Sequence, residues 1–182
     1  CYRFHQVSAF LKQQSVGHRP KKSKVFTLEE MERFLDNASD DEYLLQKVIF
    51  VVGVFGGCRM GELVAMSVDD VEDRGSVLVV QIPDTKTHKP RTFTIINGSN
   101  SVPAIDVFRK YRILRPEKIS HKRLFINYKN KKCTVQPVGV NTFSTIPKKI
   151  AQFLGLQNPQ EYTGHSFRRS SATLLADSGA DL

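Results

Sequence analysis

The spacing of apolar residues predicts helices in the first third of the chain. Thr27 and Glu30 form a capping box, and apolar residues at helical spacing follow it. After a predicted loop over residues 37–41, the run 43–55 is almost wholly apolar, which indicates a second, buried helix. Two glycines end that run, and a further helical turn is predicted over residues 59–66.

The period then changes from helical to alternating. Residues 77–82 and 92–96 read as two strands, and the basic turn 85–90 joins them into a β-hairpin. Two more helices and one short buried element are predicted over residues 105–114, 143–154 and 124–127. The pattern as a whole predicts an α+β fold, mainly α-helical, with one small antiparallel β-sheet.

The last helix begins within GHSFRRSSATLLADSG, residues 164–179. His165 and Arg168 are three positions apart, so they share one face of its first turn. The unpaired backbone N–H groups there favour an anion. Positive charge on His165 and Arg168 opposes the helix dipole, and a bound anion would compensate this cost. The buried stripe on the opposite face is predicted to consist of Phe167, Leu174 and Leu175.

Charge is unevenly distributed along the 182 residues. The net charge is +9, and residues 109–132 hold ten Lys or Arg but one acid. Such a segment favours a polyanion, most commonly nucleic acid, although a solvated face without a partner is the plainer alternative. The side chains predicted to contact DNA are Arg109, Lys110, Arg112, Lys122 and Arg123 in this segment, with Lys89, Arg91 and Arg169 outside it.

Composition argues against several other classes of protein. The cysteines, Cys1, Cys58 and Cys133, are too scattered for a disulfide framework or a zinc site. No carboxylate cluster suited to a metal is present, and we expect no metal or other cofactor. The longest apolar run, 48–58, is too short to span a bilayer, so no membrane partner is expected.

Four residue positions suggest phosphodiester chemistry. They are Arg59 in GGCRMGEL, Lys86 in the hairpin turn, and His165 with Arg168. Taken singly, each has an ordinary structural explanation. Together they supply two guanidinium forks for phosphate oxygens, a lysine that can protonate a leaving oxygen, and an imidazole.

These same stretches resemble the successive boxes of the tyrosine recombinase (phage integrase) family, from about residue 25 to 182. The closest likeness is to the recombinases of Crypton-type eukaryotic DNA transposons, carried by PDTKTHKPRTFTI, residues 138–141 and YTGHSFRRSSATLLADSGAD. The resemblance implies the tyrosine recombinase catalytic-domain fold, which closes on double-stranded DNA. It also implies strand cleavage and rejoining through a 3′-phosphotyrosine, without metal or ATP.

The resemblance also assigns roles to the four residues. Arg59 and Arg168 would clamp the scissile phosphate. Lys86 would be the general acid on the leaving 5′ oxygen, with Lys89 as the alternative. His165 would hydrogen-bond the phosphate or assist proton transfer.

One expected residue has no counterpart. The family's nucleophilic tyrosine lies beyond the H-x-x-R helix, whereas all five tyrosines here precede His165. We therefore expect the chain to be truncated before its nucleophile and inactive as it stands. It would be a fragment, an incomplete reading frame, or a domesticated descendant that retains DNA binding alone.

The resemblance divides the chain into two parts. Residues 1–24 are predicted to be the end of a preceding DNA-binding domain and a basic linker, and residues 25–182 a catalytic domain lacking its C-terminal segment. It also implies a homo-oligomer on DNA and a nuclear location. A non-catalytic DNA-binding module is the rival hypothesis, and a protein-interaction or RNA-binding domain is a third.

Overall fold

The computed structural model describes residues 22–83, 89–97 and 103–178. The described parts contain six α-helices and five strands. In chain order they are α1 (Leu28–Asn37), α2 (Asp40–Phe55), α3 (Met60–Ala65), β1 (Val71–Asp73), β2 (Val77–Ile82), β3 (Arg91–Ile96), α4 (Ala104–Ile113), β4 (Ile126–Lys129), β5 (Lys132–Pro137), α5 (Val140–Phe153) and α6 (Ser166–Asp177). The predicted α+β class, mainly helical with small antiparallel sheets, is confirmed.

Helix α2 is the centre of the molecule. Ser39 caps it and three acids occupy its first turn, so the helix begins at Asp40, earlier than the predicted loop allowed. From Val48 to Val54 all its residues are buried. Its Phe50 ring meets Phe26, Phe34 and Phe167 with centroids 5.0, 5.8 and 5.5 Å away. These aromatic contacts join α1, α2 and α6 into one core.

Helix α6 packs close to the backbone of α2. A Cβ atom on Gly53 would lie 2.7 Å from the Phe167 ring, so only glycine permits this approach. Ser166 and Ser170 are buried beside Phe167, whereas Leu175 is 48% exposed. The predicted stripe is therefore wrong at Leu175, because the close helix contact selects small residues one turn apart.

The strands form two antiparallel sheets where one was predicted. The first has the order β1-β2-β3, and its β2–β3 register pairs Val77 with Ile96 and Ile82 with Arg91. The second is the hairpin β4–β5, whose turn places Asn130 and Lys131 at positive φ. The β2–β3 register brings the first residue of β3 close to the end of α2, where the candidate site lies.

A candidate phosphate-binding cleft

A cleft of about 470 Å³ opens between the α2–α3 turn, the start of β3 and helix α6. It brings together residues from three separate parts of the sequence. The lining residues are Gly56, Gly57, Arg59, Lys89, Pro90, Arg91, Arg168, Ser171, Ala172 and Leu175. Arg59 and Arg168, which the sequence assigned to one phosphate, therefore share this cleft.

Two glycines shape the turn that leads to Arg59. A Cβ on Gly56 would lie 2.3 Å from the Phe93 ring and 2.7 Å from Cys58 Sγ. Gly57 has a φ of +50°, and a Cβ there would lie 3.2 Å from Ser171 Oγ of α6. The backbone can therefore run between β3 and α6 only because both positions lack a side chain.

Glu62 anchors Arg59. It lies three residues later in α3, where one carboxylate oxygen, Oε2, accepts the Arg59 N–H at 2.8 Å. The other oxygen, Oε1, accepts Arg59 Nη1 at 3.1 Å. The Glu62 side chain is 5% exposed and that of Arg59 34%, so a buried carboxylate orients a guanidinium that reaches the cleft. The sequence reasoning missed Glu62, although its i,i+3 spacing from Arg59 is a capping signal.

Arg91 is turned toward the same carboxylate. Its Nη2 donates to Glu62 Oε2 at 2.8 Å and approaches Cys58 Sγ at 3.8 Å, while Nη1 donates to the Gly56 carbonyl. The guanidinium also lies 5.8 Å from the centre of the Phe93 ring. Arg91 was predicted to contact DNA. The structure places it in the wall of the cleft, and the DNA contact stays a prediction.

Electrostatics keep the cleft positive. Burial would raise the pKa of Glu62, but the Arg59 N–H and the Arg91 guanidinium outweigh it and hold that pKa below its ordinary value. The guanidiniums of Arg59, Arg91 and Arg168 all line the cleft, and the ionised carboxylate of Glu62 pairs with the first two. An anion is the ligand that this excess of positive charge favours.

Cys58 lies beside the cleft without contributing a nucleophile. Burial raises the pKa of its thiol to about 12, although the Arg91 guanidinium and, more weakly, that of Arg168 act to lower it. The thiol is therefore protonated at neutral pH.

Arg168 lies in the first turn of α6, as predicted, whereas His165 is the residue before its first turn. Both are exposed. The Ser166 hydroxyl accepts the Thr163 N–H at 3.0 Å, which fixes the loop before them. Arg168 lines the cleft, whereas His165 stands one turn before it, outside the lining residues. Both roles stay predictions.

Arg169 points away from its helix neighbour. Its Nη1 donates to the carbonyl of Ser23, and the Ser23 hydroxyl is 2.5 Å from that of Thr163. Arg169 thus fastens the segment before α1 to the start of α6. The DNA contact predicted for it is not tested by these contacts.

Two lysines are the candidates for the predicted general acid. Lys86 falls outside the described residues, so its predicted role is untested. Lys89, the alternative, lies in the cleft wall. The choice between the two lysines stays open.

The predicted basic segment is partly neutralised by acids from elsewhere in the chain. Arg109 makes two hydrogen bonds to Asp73, at 2.8 and 2.7 Å, which lower the pKa of that carboxyl to about 2. The other partners are Asp40 for Lys110, Asp69 for Lys122, the Val71 carbonyl for Arg112 and the Val64 carbonyl for Arg123. The DNA contacts of these five residues stay predictions. In each case a DNA phosphate would compete with the partner that the residue has within the protein.

A comparison with known families identifies the fold. The sequence profile of the phage integrase family matches residues 24–182. The chain belongs to this family. A comparison with curated proteins gives no match.

Solved structures of phage integrase family members have the same fold. XerA recombinase aligns with a TM-score of 0.66 at 21% identity, covering 91% of this chain and 53% of that one. XerH recombinase bound to difH substrate gives 0.64 and 22%, covering 88% and 44%. Lambda integrase bound to DNA gives 0.59 and 18%, covering 88% and 53%. The chain spans about half the length of these recombinases.

Neither a metal-binding cluster nor a membrane-spanning helix occurs in the described parts of the chain. Within residues 22–83, 89–97 and 103–178, no group of three or more His, Cys, Asp or Glu side chains is placed to hold a metal ion. In the same ranges, no helix has the length and apolar character needed to cross a membrane.

Proposed function

We propose that this chain is the DNA-binding catalytic domain of a tyrosine-type site-specific recombinase or transposase. One observation carries the proposal. Arg59 and Arg168, more than a hundred positions apart in sequence, line one positively charged cleft. Two guanidinium groups on rigid elements match the oxygens of a single DNA phosphate.

The proposed reaction is a phosphoryl transfer without metal. A tyrosine hydroxyl releases its proton to solvent as its oxygen attacks the phosphorus, and the bond to the 5′ oxygen breaks as the 3′-phosphotyrosine forms. Lys86 or Lys89 donates the proton that this oxygen takes up. Arg59 and Arg168 stabilise the charge that develops on the non-bridging oxygens, and His165 hydrogen-bonds one of them. A 5′-hydroxyl of another strand then attacks and returns its proton to the lysine, and the tyrosine leaves and takes up a proton from solvent.

We further propose that the attacking tyrosine lies outside these 182 residues. Of the tyrosines in the described residues, Tyr43, Tyr111, Tyr128 and Tyr162, none lines the cleft. The Tyr111 hydroxyl donates to the Ile126 carbonyl at 2.7 Å, and burial raises its pKa. Tyr162 is buried against Phe26, with ring centroids 4.6 Å apart.

The second half of the reaction can be tested without a tyrosine. A duplex is prepared with a nick whose 3′ end carries a p-nitrophenyl phosphate and whose other end is a 5′-hydroxyl. The flanking positions are randomised, so that an unknown target sequence is sampled. Attack by the 5′-hydroxyl forms the phosphodiester and releases p-nitrophenolate, which leaves without needing a proton. Joined strands are counted by sequencing.

The chain should accelerate joining, and the two arginines should be required. Arg59→Ala and Arg168→Ala should each slow it by at least about a hundredfold, because each removes a donor to the developing charge. Arg74→Ala is the matched control, since Arg74 does not line the cleft and forms an exposed ion pair with Glu72, with Nη2 and Oε2 2.9 Å apart. The catalytic proposal is contradicted if the unchanged chain does not accelerate joining, or if joining is equally slow in all three variants.

A non-catalytic DNA-binding module descended from a recombinase is the second candidate. The observation that favours it is the lack of a tyrosine in the cleft wall among the described residues. It predicts salt-sensitive binding to duplex DNA without any joined strands. The joining assay thus separates the two candidates.

Four finer expectations belong to this proposal. They are the closer relation to Crypton-type recombinases, a nuclear location, assembly of several copies on DNA, and a division of the chain near residue 24. Basic residues placed before the catalytic domain, such as Lys21, Lys22 and Lys24, are consistent with a linker that follows DNA.

A further inference from the structure

Arg91 occupies the corner where β3 meets the turn between α2 and α3. Its side chain is 32% exposed, and its guanidinium hydrogen-bonds both Glu62 and the Gly56 carbonyl. We propose that Arg91 is a positioning residue that acts through Glu62 to present Arg59 to the DNA phosphate. The inference rests on the function proposed above, and it replaces the direct DNA contact that the sequence suggested for Arg91.

The carboxylate of Glu62 is shared between the two arginines. Oε2 accepts both the Arg59 N–H and Arg91 Nη2, each at 2.8 Å, and Oε1 accepts Arg59 Nη1 at 3.1 Å. Both oxygens are thus held, which fixes the plane of the carboxylate. The carboxylate therefore holds Arg59 at two points, its backbone N–H and Nη1, and the remaining guanidinium nitrogens are left to face the cleft.

Arg91 also balances the charge of Glu62. With Arg91 present, two guanidiniums face one buried carboxylate, so positive charge is left over for a phosphate. Without it, Arg59 alone would have to neutralise Glu62, which is 7% exposed. A buried carboxylate that lacks its second partner would draw Arg59 toward itself and away from the cleft.

The same side chain links the lysine-bearing hairpin to the cleft. Lys89, Arg91 and Phe93 are two residues apart, the repeat that places strand residues on one face. Lys89 and Arg91 line the cleft, and Phe93 fills the space left by the missing Cβ of Gly56. The bond from Arg91 to the Gly56 carbonyl places a cation at the C-terminal end of α2, where the helix dipole favours it.

A double-mutant cycle on DNA affinity tests the proposal. The proteins are wild type, Arg59→Ala, Arg91→Ala and the double variant, titrated onto a fluorescent duplex of randomised sequence at several salt concentrations. If Arg91 acts through Arg59, Arg91→Ala should weaken DNA binding by up to about tenfold. The double variant should then bind no more weakly than Arg59→Ala. The slope of log affinity against log salt should fall by about one in all three variants.

A direct phosphate contact by Arg91 gives different results. The two losses in affinity would then multiply, and the slope of the double variant would fall by about two. That outcome overturns the inference and leaves the proposed function standing. If Arg59→Ala and Arg168→Ala leave affinity and slope unchanged, the proposed function itself fails.

Arg91→Lys separates positioning from simple charge. Lysine keeps the positive charge, but it lacks the planar fork that reaches Glu62 and the Gly56 carbonyl together. The positioning role predicts that Arg91→Lys binds DNA as weakly as Arg91→Ala does. A direct contact predicts that Arg91→Lys keeps nearly the wild-type affinity and slope. Circular dichroism is used to check that each variant is folded. If Arg91→Ala unfolds, Arg91→Lys replaces it in the double-mutant cycle.

Discussion

At Gly56 the turn before Arg59 leaves no room for a side chain. The Phe93 ring and Cys58 Sγ occupy the positions that a methyl group would need. At the scale of single residues, the site depends as much on this missing Cβ as on the guanidinium that follows it. The φ of Gly56 is −86°, so the constraint is packing and not backbone strain.

Gly56→Ala should therefore destabilise the fold. We expect the free energy of unfolding to fall by about 1–3 kcal/mol, because an overpacked position forces its neighbours to shift. Gly61→Ala is the matched control, since nothing lies within 4 Å of its Cβ position on α3. That change should leave stability equal or raise it by about 0.5–1 kcal/mol. Urea denaturation that ranks the two variants equally would contradict the packing argument.

At the scale of elements, helix α6 is fixed by small polar residues. The Ser170 hydroxyl accepts the Phe26 N–H at 2.7 Å and donates to the Ser166 carbonyl at 2.8 Å. It thereby ties the segment before α1 to the helix that carries Arg168.

Ser170→Ala should loosen this attachment. The buried Phe26 N–H would lose its partner, which costs about 1–3 kcal/mol of unfolding free energy. Thr173→Ala removes a comparable hydroxyl, bonded to the Arg169 carbonyl at 3.1 Å but exposed on the same helix. We expect that control to change stability by less than about 0.5 kcal/mol in thermal or urea unfolding.

The ion pair between Asp73 of β1 and Arg109 of α4 joins the sheet to a helix and should appear in the pH dependence. Hydrogen bonds from Arg109 hold the Asp73 pKa at about 2, below its ordinary value near 3.8. Its stabilising contribution is therefore complete above about pH 4 and is lost as the pH falls toward 2. In Asp73→Asn, unfolding free energy should decline less over this window. Asp36→Asn, on the exposed face of α1, is the control, and its unfolding free energy should still show the decline with falling pH that Asp73 contributes.

Sequence patterns found some elements and missed others for identifiable reasons. Strand β2 has the predicted bounds, because it is an apolar run interrupted only by Gln81 and it is the central strand of its sheet. Strand β5 buries Cys133 alone, so its sequence carries no alternation to detect. Leu175 was misplaced because periodicity defines an apolar face, whereas the contact at Gly53 decides which part of that face is covered.

At the scale of the whole molecule, the basic segment does not form one surface. Lys110 and Lys131 pair with Asp40 and Asp41 at the start of α2, whereas the cleft lies at its end. A helix of 16 residues is about 24 Å long, so these lysines are distant from the candidate phosphate site. Charge counted along the sequence could not reveal this separation.

DNA binding should reflect the separation. Affinity for duplex DNA should fall steeply with salt, because phosphate contacts release counterions. Arg59→Ala should lower the slope of log affinity against log salt by about one. Lys110→Gln should leave it unchanged, contrary to the DNA contact that the sequence suggested, because Lys110 pairs with Asp40 far from the cleft. Fluorescence anisotropy at several salt concentrations measures both. Binding that is independent of salt would remove the basis for a DNA surface.

The candidate site was predictable only in part. The motifs around Arg59 and Arg168 indicated a shared phosphate, and the structure brings these two side chains to one cleft. The contact of Arg91 with Glu62 joins residues 29 positions apart through the β2–β3 register, which no local pattern encodes. Lys86 lies outside the described residues, so that part of the prediction is unchanged.

The most direct measurement is a crystal structure of this chain bound to a nicked duplex. The account predicts one phosphate whose oxygens lie within hydrogen-bonding distance, about 3 Å, of both the Arg59 and the Arg168 guanidiniums. If the two arginines contact different phosphates, or face away from the DNA, they do not form a phosphate clamp.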